Sequence, residues 1–327
     1  MPMRRELDVK PLLFVHIPKT AGTSFNENAE RHFGPDAVEK DYGTDAAHTS
    51  ALVKTHIYGP KTIDQYGFHQ AFIEADKKWL TGHFNADRYL HLMGCDNTIA
   101  FVRDPVERVV SEYLYRKRQF GMDRPLEDFY CDPGETNKQY RMIGQYPWQA
   151  LRFVGTHARY NDCLEIINKT FGLTFGDIQS NRRNDGTHLD ISENDKTEIR
   201  RWNERDCYFY EEAVAYLEKQ FTAASLGQPF CHHNIGFSAG NHAIGWAFYP
   251  GEDSAVEVGL FVDGQLTQKN HASEHITELQ AIGAPRSGNV GFRFVLDDHN
   301  AARTIELKAL DTEQALFTWA AEAATNS

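Results

Sequence analysis

The stretch FVHIPKTAGTSF, residues 14–25, decides the fold. It continues an apolar run over residues 12–17, which is typical of a short strand buried on both faces. A loop with Pro18 and Gly22 follows, and aromatic or small residues then recur every four positions over 25–33, as on one face of a helix. A strand, a loop and a helix in this order predict the first half of a β-α-β unit, and so an α/β fold.

A second strand and helix repeat this arrangement further along the chain. Residues 97–102, NTIAFV, form the second predicted strand, and Asp104 as N-cap with Pro105 at the first helical position starts the next helix. A longer helical stretch is predicted from residue 192 to residue 221. We therefore expect a P-loop-like parallel sheet flanked by helices, in a domain of residues 8–222.

The character of the sequence changes in two places. Residues 34–66 are polar and broken by glycine and proline, and we interpret them as an excursion with some helix. Beyond residue 223, short aliphatic and aromatic runs are separated by turn pairs such as Asp263-Gly264, which is typical of antiparallel strands. We expect a β-rich, sandwich-like accessory domain over residues 223–327.

Composition and charge narrow the class of protein. The chain has 327 residues, of which 41% are apolar, so it is long enough to bury a core and is not a disordered protein. The formal net charge of −12 is a poor match for duplex nucleic acid. Five cysteines without a C-x-x-C pair argue against a disulfide framework and favour a reducing compartment.

No run approaches 18 apolar residues, and the N-terminus lacks the apolar region of a signal peptide. We therefore expect a cytoplasmic protein that neither inserts into a membrane nor binds nucleic acid. Its oligomeric state is not encoded in any pattern of the sequence.

The loop PKTAGTS, residues 18–24, has the composition of an anion site. It joins a strand to a helix N-terminus, where unpaired backbone N–H groups favour an anion, and Lys19 adds a positive charge. The Walker A motif places its lysine after the last glycine, directly before Ser or Thr, whereas Lys19 precedes Gly22 by three residues. This order disfavours a nucleoside triphosphate as the ligand.

Three polar side chains follow predicted strands, namely Lys19, His83 and Arg103. Ligands of open α/β sheets bind at the carboxyl ends of the strands, so these side chains could meet in one crevice. The alternative is three unrelated surface residues, and their positions alone leave both interpretations open.

Two motifs together resemble a known family. FVHIPKTAGTSF is similar to the 5′-phosphosulfate loop of sulfotransferases that use 3′-phosphoadenosine 5′-phosphosulfate (PAPS), and it is closest to the carbohydrate branch that includes heparan sulfate 2-O-sulfotransferase. FVRDPVERVVSEY, residues 101–113, is similar to the 3′-phosphate motif of the same family, an arginine followed eight residues later by a serine. Gly82-His83-Phe84 is similar to the segment in which that branch places its catalytic base. The resemblance covers about residues 10–221.

The resemblance implies which residues hold the donor. The 5′-phosphosulfate would be bound by the loop residues Lys19, Thr20, Ala21, Gly22, Thr23 and Ser24. The 3′-phosphate would be bound by Arg103 and Ser111, one by charge-assisted hydrogen bonds and the other by a neutral one. Arg182 would assist from a loop that closes over the nucleotide, and a solvated basic turn over residues 181–183 is the alternative.

Sulfuryl transfer to an alcohol needs a base for the hydroxyl proton and a cation for the leaving phosphate. The resemblance implies His83 as the base and Lys19 as the cation, with adenosine 3′,5′-bisphosphate (PAP) as the product and no metal required. His56 is a second candidate for the base, and His16, inside the first predicted strand, is expected to be structural.

The acceptor would be a carbohydrate or another hydroxyl-bearing molecule, on the resemblance alone. Residues 156–160, THARY, stand where the branch usually has an acidic residue, so the acceptor site is expected to differ, and the net charge of −12 argues against a long polyanion. Two other functions stay open. An ATP-dependent P-loop kinase is disfavoured by the position of Lys19, and a non-catalytic carbohydrate-binding protein by the intact set Lys19, His83, Arg103 and Ser111.

Overall fold

The computed structural model describes residues 10–59, 61–177, 189–238, 241–296 and 304–320. The chain forms two compact units, one of residues 1–93 with 97–218 and one of residues 94–96 with 219–327. The sequence places the boundary after residue 222, and nothing in it assigns residues 94–96 to the second unit. Arg182 lies outside the described residues, so its expected contact with a nucleotide stays a prediction.

Within the described residues, the centre of the first unit is a parallel sheet of five strands. These are β1 (Leu12–Val15), β2 (Val38–Asp41), β3 (Trp79–Gly82), β4 (Thr98–Val102) and β5 (Phe153–Thr156). They lie in the order β2-β3-β1-β4-β5. The helices are α1 (Gly22–Phe33), α2 (Ala51–Val53), α3 (Gln65–Glu74), α4 (Asp87–Met93), α5 (Pro105–Phe120), α6 (Leu126–Tyr130), α7 (Tyr160–Phe171), α8 (Glu193–Trp202) and α9 (Glu204–Ser225). The parallel sheet flanked by helices is as the sequence predicts.

The predicted start of α5 is also found. The Asp104 carboxylate accepts a hydrogen bond of 3.0 Å from the N–H of Glu107, and Pro105 occupies the first helical position. The helix ends at Gly121, whose φ of +61° closes it in the left-handed region that glycine tolerates. The cap fixes where the chain leaves β4, and therefore where Arg103 stands.

Strand β2 lies inside the region that the sequence presents as an excursion. Its residues VEKD are mostly charged, yet Glu39 and Asp41 are buried. Glu39 pairs with Lys77 at 2.7 Å, and Asp41 accepts hydrogen bonds from the hydroxyls of Tyr58 and Tyr89 at 2.7 and 2.8 Å. An apolar pattern does not predict this edge strand, because partners distant in sequence satisfy its charges.

The predicted stretch 192–221 is two helices rather than one. Ser192 caps α8 as expected, since its Oγ accepts from the N–H of Asp195 at 3.0 Å. The break falls at Asn203, whose carboxamide donates to the Ile199 carbonyl at 2.9 Å and accepts from the N–H of Asn137 at 2.9 Å. Asparagine side chains that bond to the backbone in this way compete with helix continuation.

The described part of the second unit contains two antiparallel sheets. Its elements are β6 (His232–Ser238), β7 (His242–Phe248), β8 (Glu257–Val262), β9 (Gln265–His271), β10 (Glu274–His275), α10 (Thr277–Ala281), β11 (Asn289–Val295), β12 (Thr304–Ala309) and β13 (Ala315–Ala320). The sheet orders are β10-β11-β7-β6 and β13-β12-β8-β9. Phe292 of the first sheet and Leu260 and Leu307 of the second are fully buried in one shared core. The β-rich C-terminal part predicted from the sequence is confirmed.

Several carboxamide side chains bind the backbone of one residue twice, donating to its carbonyl and accepting from its N–H. We call this arrangement an amide joint. Joints of 2.8–2.9 Å link Asn28 to Gly176, Asn168 to Phe175, Gln139 to Arg103 and Gln314 to Cys231. Each gives a stretch of backbone the two hydrogen bonds that a neighbouring strand would otherwise provide.

Candidate active site

A large cleft opens at the carboxyl edge of the parallel sheet, with a volume of about 2040 Å³. The first residue after each of the five strands lines it. In sheet order these residues are Tyr42, His83, His16, Arg103 and His157. The sequence left open whether residues at strand ends meet in one crevice or lie apart, and the cleft brings His83, Arg103 and Lys19 together.

The loop between β1 and α1 has the backbone geometry of an anion site. Lys19 and Ala21 have positive φ values of 69° and 79°, while Thr20 between them does not. A φ that alternates in sign along a loop can turn successive N–H groups to the same side, as in concave anion-binding nests. Ala21 is also the N-cap of α1, and no side chain caps this helix end. The N–H groups of the first turn therefore remain suited to an anion.

The side chains of this loop divide into two groups. Lys19, Ala21, Gly22, Thr23 and Ser24 line the cleft. Thr20 is fully buried, and its hydroxyl donates to the Ile17 carbonyl at 2.8 Å. Thr20 can therefore serve a ligand through its backbone only, because its side chain closes the loop from behind.

Gly22 is required by a close approach of the His16 ring. A Cβ on Gly22 would lie 2.0 Å from Cδ2 and 2.1 Å from Nε2 of His16. His16 itself follows β1 instead of lying inside it, and it lines the cleft. The sequence expectation that His16 sits within the strand is therefore wrong.

His16 is held as a neutral ring. Asn26 Nδ2 donates to the Tyr42 hydroxyl at 3.0 Å, which leaves the Tyr42 proton for His16 Nδ1 at 2.9 Å. Burial, together with the nearby His83 and Lys19, lowers the pKa of His16 well below its ordinary value. The remaining ring proton is then on Nε2, on the side that faces Gly22.

His83 is anchored from both sides and exposes one ring nitrogen. Its Nδ1 lies 2.7 Å from the His16 carbonyl, and since a carbonyl only accepts, Nδ1 carries the proton. Its backbone N–H donates to the Asp41 carbonyl at 3.0 Å. The ring is exposed within the cleft, so Nε2 is the nitrogen with a lone pair for a ligand.

The protonation of His83 is also set by its surroundings. The cleft walls displace part of the water around the ring, and this desolvation lowers its pKa. The His16 carbonyl and the Glu112 carboxylate oppose the effect, whereas Lys138 and His48 add to it. The net direction is downward, so the neutral, proton-accepting form is favoured at neutral pH.

Lys19 points along the cleft rather than into an ion pair. Its Nζ lies 4.3 Å from the centre of the Tyr115 ring, a cation–π contact. Desolvation lowers the pKa of Lys19, Glu112 opposes this, and Arg118 and Arg103 lower it further. No carboxylate lies within ion-pair distance of Lys19 in the described ranges, so its ammonium is not already neutralised.

Arg103 and Ser111 line the same cleft. Arg103 donates from Nη1 to the Lys19 carbonyl at 3.3 Å and from Nε to Glu107 at 3.1 Å. Ser111 and Tyr115 are one helical turn apart on α5 and both face the cleft. The cationic end of Arg103 therefore adjoins the backbone of the anion loop.

Other predicted or conspicuous residues lie elsewhere. His56 does not line the cleft, and its Nδ1 is 3.7 Å from the Asp64 carboxylate. Across the described ranges, no group of three or more His, Cys, Asp and Glu side chains could hold a metal ion. None of the described helices is both long and apolar enough to cross a bilayer.

Sequence reasoning missed several residues in or next to the site, among them Tyr115, Tyr42 and Gln139. Tyr115 could have been found, because it stands four positions after Ser111 on a predicted helix. Tyr42 and Gln139 carry no such signal, since each reaches the site from a segment without a recognisable pattern.

The fold and the cleft define an α/β domain with an anion loop at the end of its first strand. Residues 7–233 match the model of the sulfotransferase family, and because this is well over half of the chain, the protein belongs to that family. It is therefore a sulfotransferase, an enzyme that transfers sulfuryl groups. No curated protein matches the chain. Among solved structures, a sulfotransferase from Alicyclobacillus acidocaldarius is similar at 14% identity and a TM-score of 0.34, covering 67% of this chain and 97% of that chain.

Proposed function

We propose that the protein is a PAPS-dependent O-sulfotransferase whose acceptor is the hydroxyl of a carbohydrate. The observation that supports the proposal most is the convergence of an anion loop, two cations and an accessible imidazole nitrogen in one cleft. The resemblance to the branch of heparan sulfate 2-O-sulfotransferase supports the carbohydrate acceptor.

The residues of the cleft fit a donor with phosphate groups at two positions. The nest at Lys19–Ala21 and the start of α1 would hold the 5′-phosphosulfate through backbone N–H groups. Arg103 and Ser111 would hold the 3′-phosphate, on the opposite side of Lys19 from His83. The sheet order supports this division, because β4 and β3 flank β1 on its two sides.

The donor supplies an activated sulfuryl group whose leaving group is a phosphate. His83 Nε2 accepts the proton of the acceptor hydroxyl, whose oxygen then bonds to sulfur as the bond between sulfur and the phosphate oxygen breaks. Lys19 Nζ neutralises the charge that develops on the departing phosphate. Because the lowered pKa of His83 keeps the ring neutral, the base is ready at neutral pH.

The acceptor would enter on the His83 side of the cleft, where Tyr42, Asn85 and Met142 also line the wall. On the other side, His157, the first residue after β5, lines the cleft next to the strand that leads to Arg103. Desolvation and then Arg103 lower the pKa of His157 to about 4. A neutral imidazole at this place would not repel a phosphate as a carboxylate would.

Titration calorimetry with PAP, adenosine 5′-phosphate and ATP tests the donor. We expect PAP to bind most tightly, because only PAP presents both phosphate positions. Transfer of sulfur-35 from labelled PAPS onto a panel of neutral and acidic oligosaccharides then tests the acceptor. Binding of ATP in preference to PAP, or transfer to none of the panel, would contradict the proposal.

A further inference from the structure

We propose that Gln139 is a positioning residue for the 3′-phosphate of the donor. It fixes the backbone of Arg103 and so sets the direction from which the guanidinium enters the cleft. The inference rests on the proposed function, which assigns Arg103 to that phosphate.

The amide joint between Gln139 and Arg103 stands where the sheet stops supporting the chain. The last pair between β4 and β5 is Val102 with Thr156, so Arg103 is the first residue beyond the ladder. Its N–H donates to Gln139 Oε1 at 2.8 Å, and its carbonyl accepts from Gln139 Nε2 at 2.8 Å. Gln139 is completely buried, so water does not compete for these two bonds.

Fixing both backbone groups of Arg103 also fixes where its side chain starts. The next residue, Asp104, is the N-cap of α5, so the chain is held on both sides of Arg103. The guanidinium then reaches the Lys19 carbonyl and Glu107 from a defined Cα position. Without the joint, the peptide units flanking Arg103 could rotate and move the guanidinium away from the anion loop.

Gln139 is itself held by a buried carboxylate. The N–H groups of Gln139 and Tyr140 donate to Asp206 at 3.3 and 2.7 Å. Asp206 is fully buried 4.0 Å from Arg108, whose Nη2 donates to the Glu135 carbonyl at 2.8 Å. A side chain anchored in this way transmits its position to Arg103 with little freedom.

The segment around Gln139, residues 138–142, also lines the part of the cleft in which we place the acceptor. Lys138 and Met142 line the cleft on either side of Gln139 in sequence. The Met142 carbonyl accepts from the N–H of Ala86 at 2.8 Å, three residues beyond His83. Gln139 therefore connects the segment that faces the acceptor to the residue that faces the 3′-phosphate.

Calorimetry on the full chain tests the inference with Gln139→Ala and the near-isosteric Gln139→Glu. We expect Gln139→Ala to weaken PAP binding about tenfold, because a released Arg103 must be ordered again when PAP binds. Affinity for adenosine 5′-phosphate, which lacks the 3′-phosphate, should change by no more than about twofold. Gln139→Glu should weaken PAP at least as much, since a carboxylate oxygen would face the Arg103 carbonyl. Gln145→Ala is the control, because this glutamine bonds to the Arg141 carbonyl and is exposed.

A double variant distinguishes a positioning role of Gln139 from a general loss of structure. In an Arg103→Ala background, Gln139→Ala should weaken PAP binding by less than about twofold further, because it acts through the arginine side chain. Hydrogen exchange gives a readout without any ligand, and the Arg103 amide should exchange faster in Gln139→Ala than in wild type. The fold is monitored by thermal unfolding of each variant.

The possible failures are distinguishable. If wild type does not bind PAP, the proposed function falls and this inference with it. If wild type binds PAP and Arg103→Ala weakens it, equal losses for PAP and adenosine 5′-phosphate in Gln139→Ala and Gln139→Glu would overturn the positioning role alone. Additive losses in the double variant would overturn it as well.

Discussion

Replacing Gly22 with alanine is the smallest change that tests the packing beneath the anion loop. The new methyl carbon would lie 2.0 Å from His16 Cδ2, well inside van der Waals contact. The ring cannot easily move aside, because it stacks on Phe14 with a centroid distance of 5.6 Å and lies 4.4 Å from the His83 ring. Its Nδ1 is also bonded to Tyr42.

The magnitude follows from two opposing effects. Overpacking of a filled site costs about 1–3 kcal/mol. Alanine restricts the unfolded chain more than glycine does, which stabilises the fold by about 0.4–1 kcal/mol and offsets part of the cost. We expect Gly22→Ala to lower the free energy of unfolding by about 1–2 kcal/mol, and Tm by about 2–8 °C. Because the His16 carbonyl orients His83, turnover should fall by about 10–100-fold.

Calorimetric unfolding and initial rates measure both effects. Gly176→Ala is the matched control, since Gly176 is exposed, has an ordinary φ and would meet nothing within 4 Å. It should be neutral or stabilising by up to about 1 kcal/mol. In a His16→Ala background the clash partner is gone, so Gly22→Ala should cost much less. Equal costs in both backgrounds would refute the argument from packing.

Three further outcomes follow from the site. His83→Ala should lower turnover by about 10²–10⁴ while PAP affinity stays within a few-fold; His56→Ala is the comparison, and a large loss only there would transfer the base to position 56. The wild-type rate should fall as the pH drops through an apparent pKa below the ordinary 6.5 of histidine, since the pKa of His83 is lowered, and a pH–rate profile of His83→Ala should lack this limb. Arg103→Ala should raise the KM for PAPS by the factor that corresponds to about 1.5–3 kcal/mol of lost binding free energy. The variant should also discriminate less between PAPS and adenosine 5′-phosphosulfate. Unchanged discrimination would remove Arg103 from the 3′ site.

The parts of the fold that follow from the sequence are those set by local rules. The buried strands β1 and β4 contain continuous apolar runs of four residues, LLFV and IAFV, and the cap at Asp104 is formed by neighbours three residues apart. Strand β2 could not be predicted this way, because Asp41 is stabilised by tyrosines 17 and 48 residues away in sequence. The break at Asn203 has the same cause, since one of its partners is 66 residues distant.

In the candidate site, too, the sequence predicts what local residue type and order decide and does not predict the rest. The anion loop and the strand-end positions of His83 and Arg103 follow from residue type and order. That Thr20 turns its hydroxyl inward to the Ile17 carbonyl does not, in a loop where Lys19 and Ala21 adopt positive φ values that neither residue type favours. Nor does the sequence reveal that Gly22 leaves room for a ring rather than for a ligand.

The amide joints have a consequence for how the protein responds to its solvent. A carboxamide neither titrates nor attracts counter-ions, so the links at Asn28, Asn168, Gln139 and Gln314 keep their strength across pH and ionic strength. Exposed ion pairs such as Arg124 with Asp132 weaken as salt rises or as the carboxylate is protonated. When acid or salt is used to titrate the cleft, the two bonds of the joint at Arg103 do not respond to the titrant themselves, and the titratable group behind them is the buried Asp206 carboxylate that anchors Gln139.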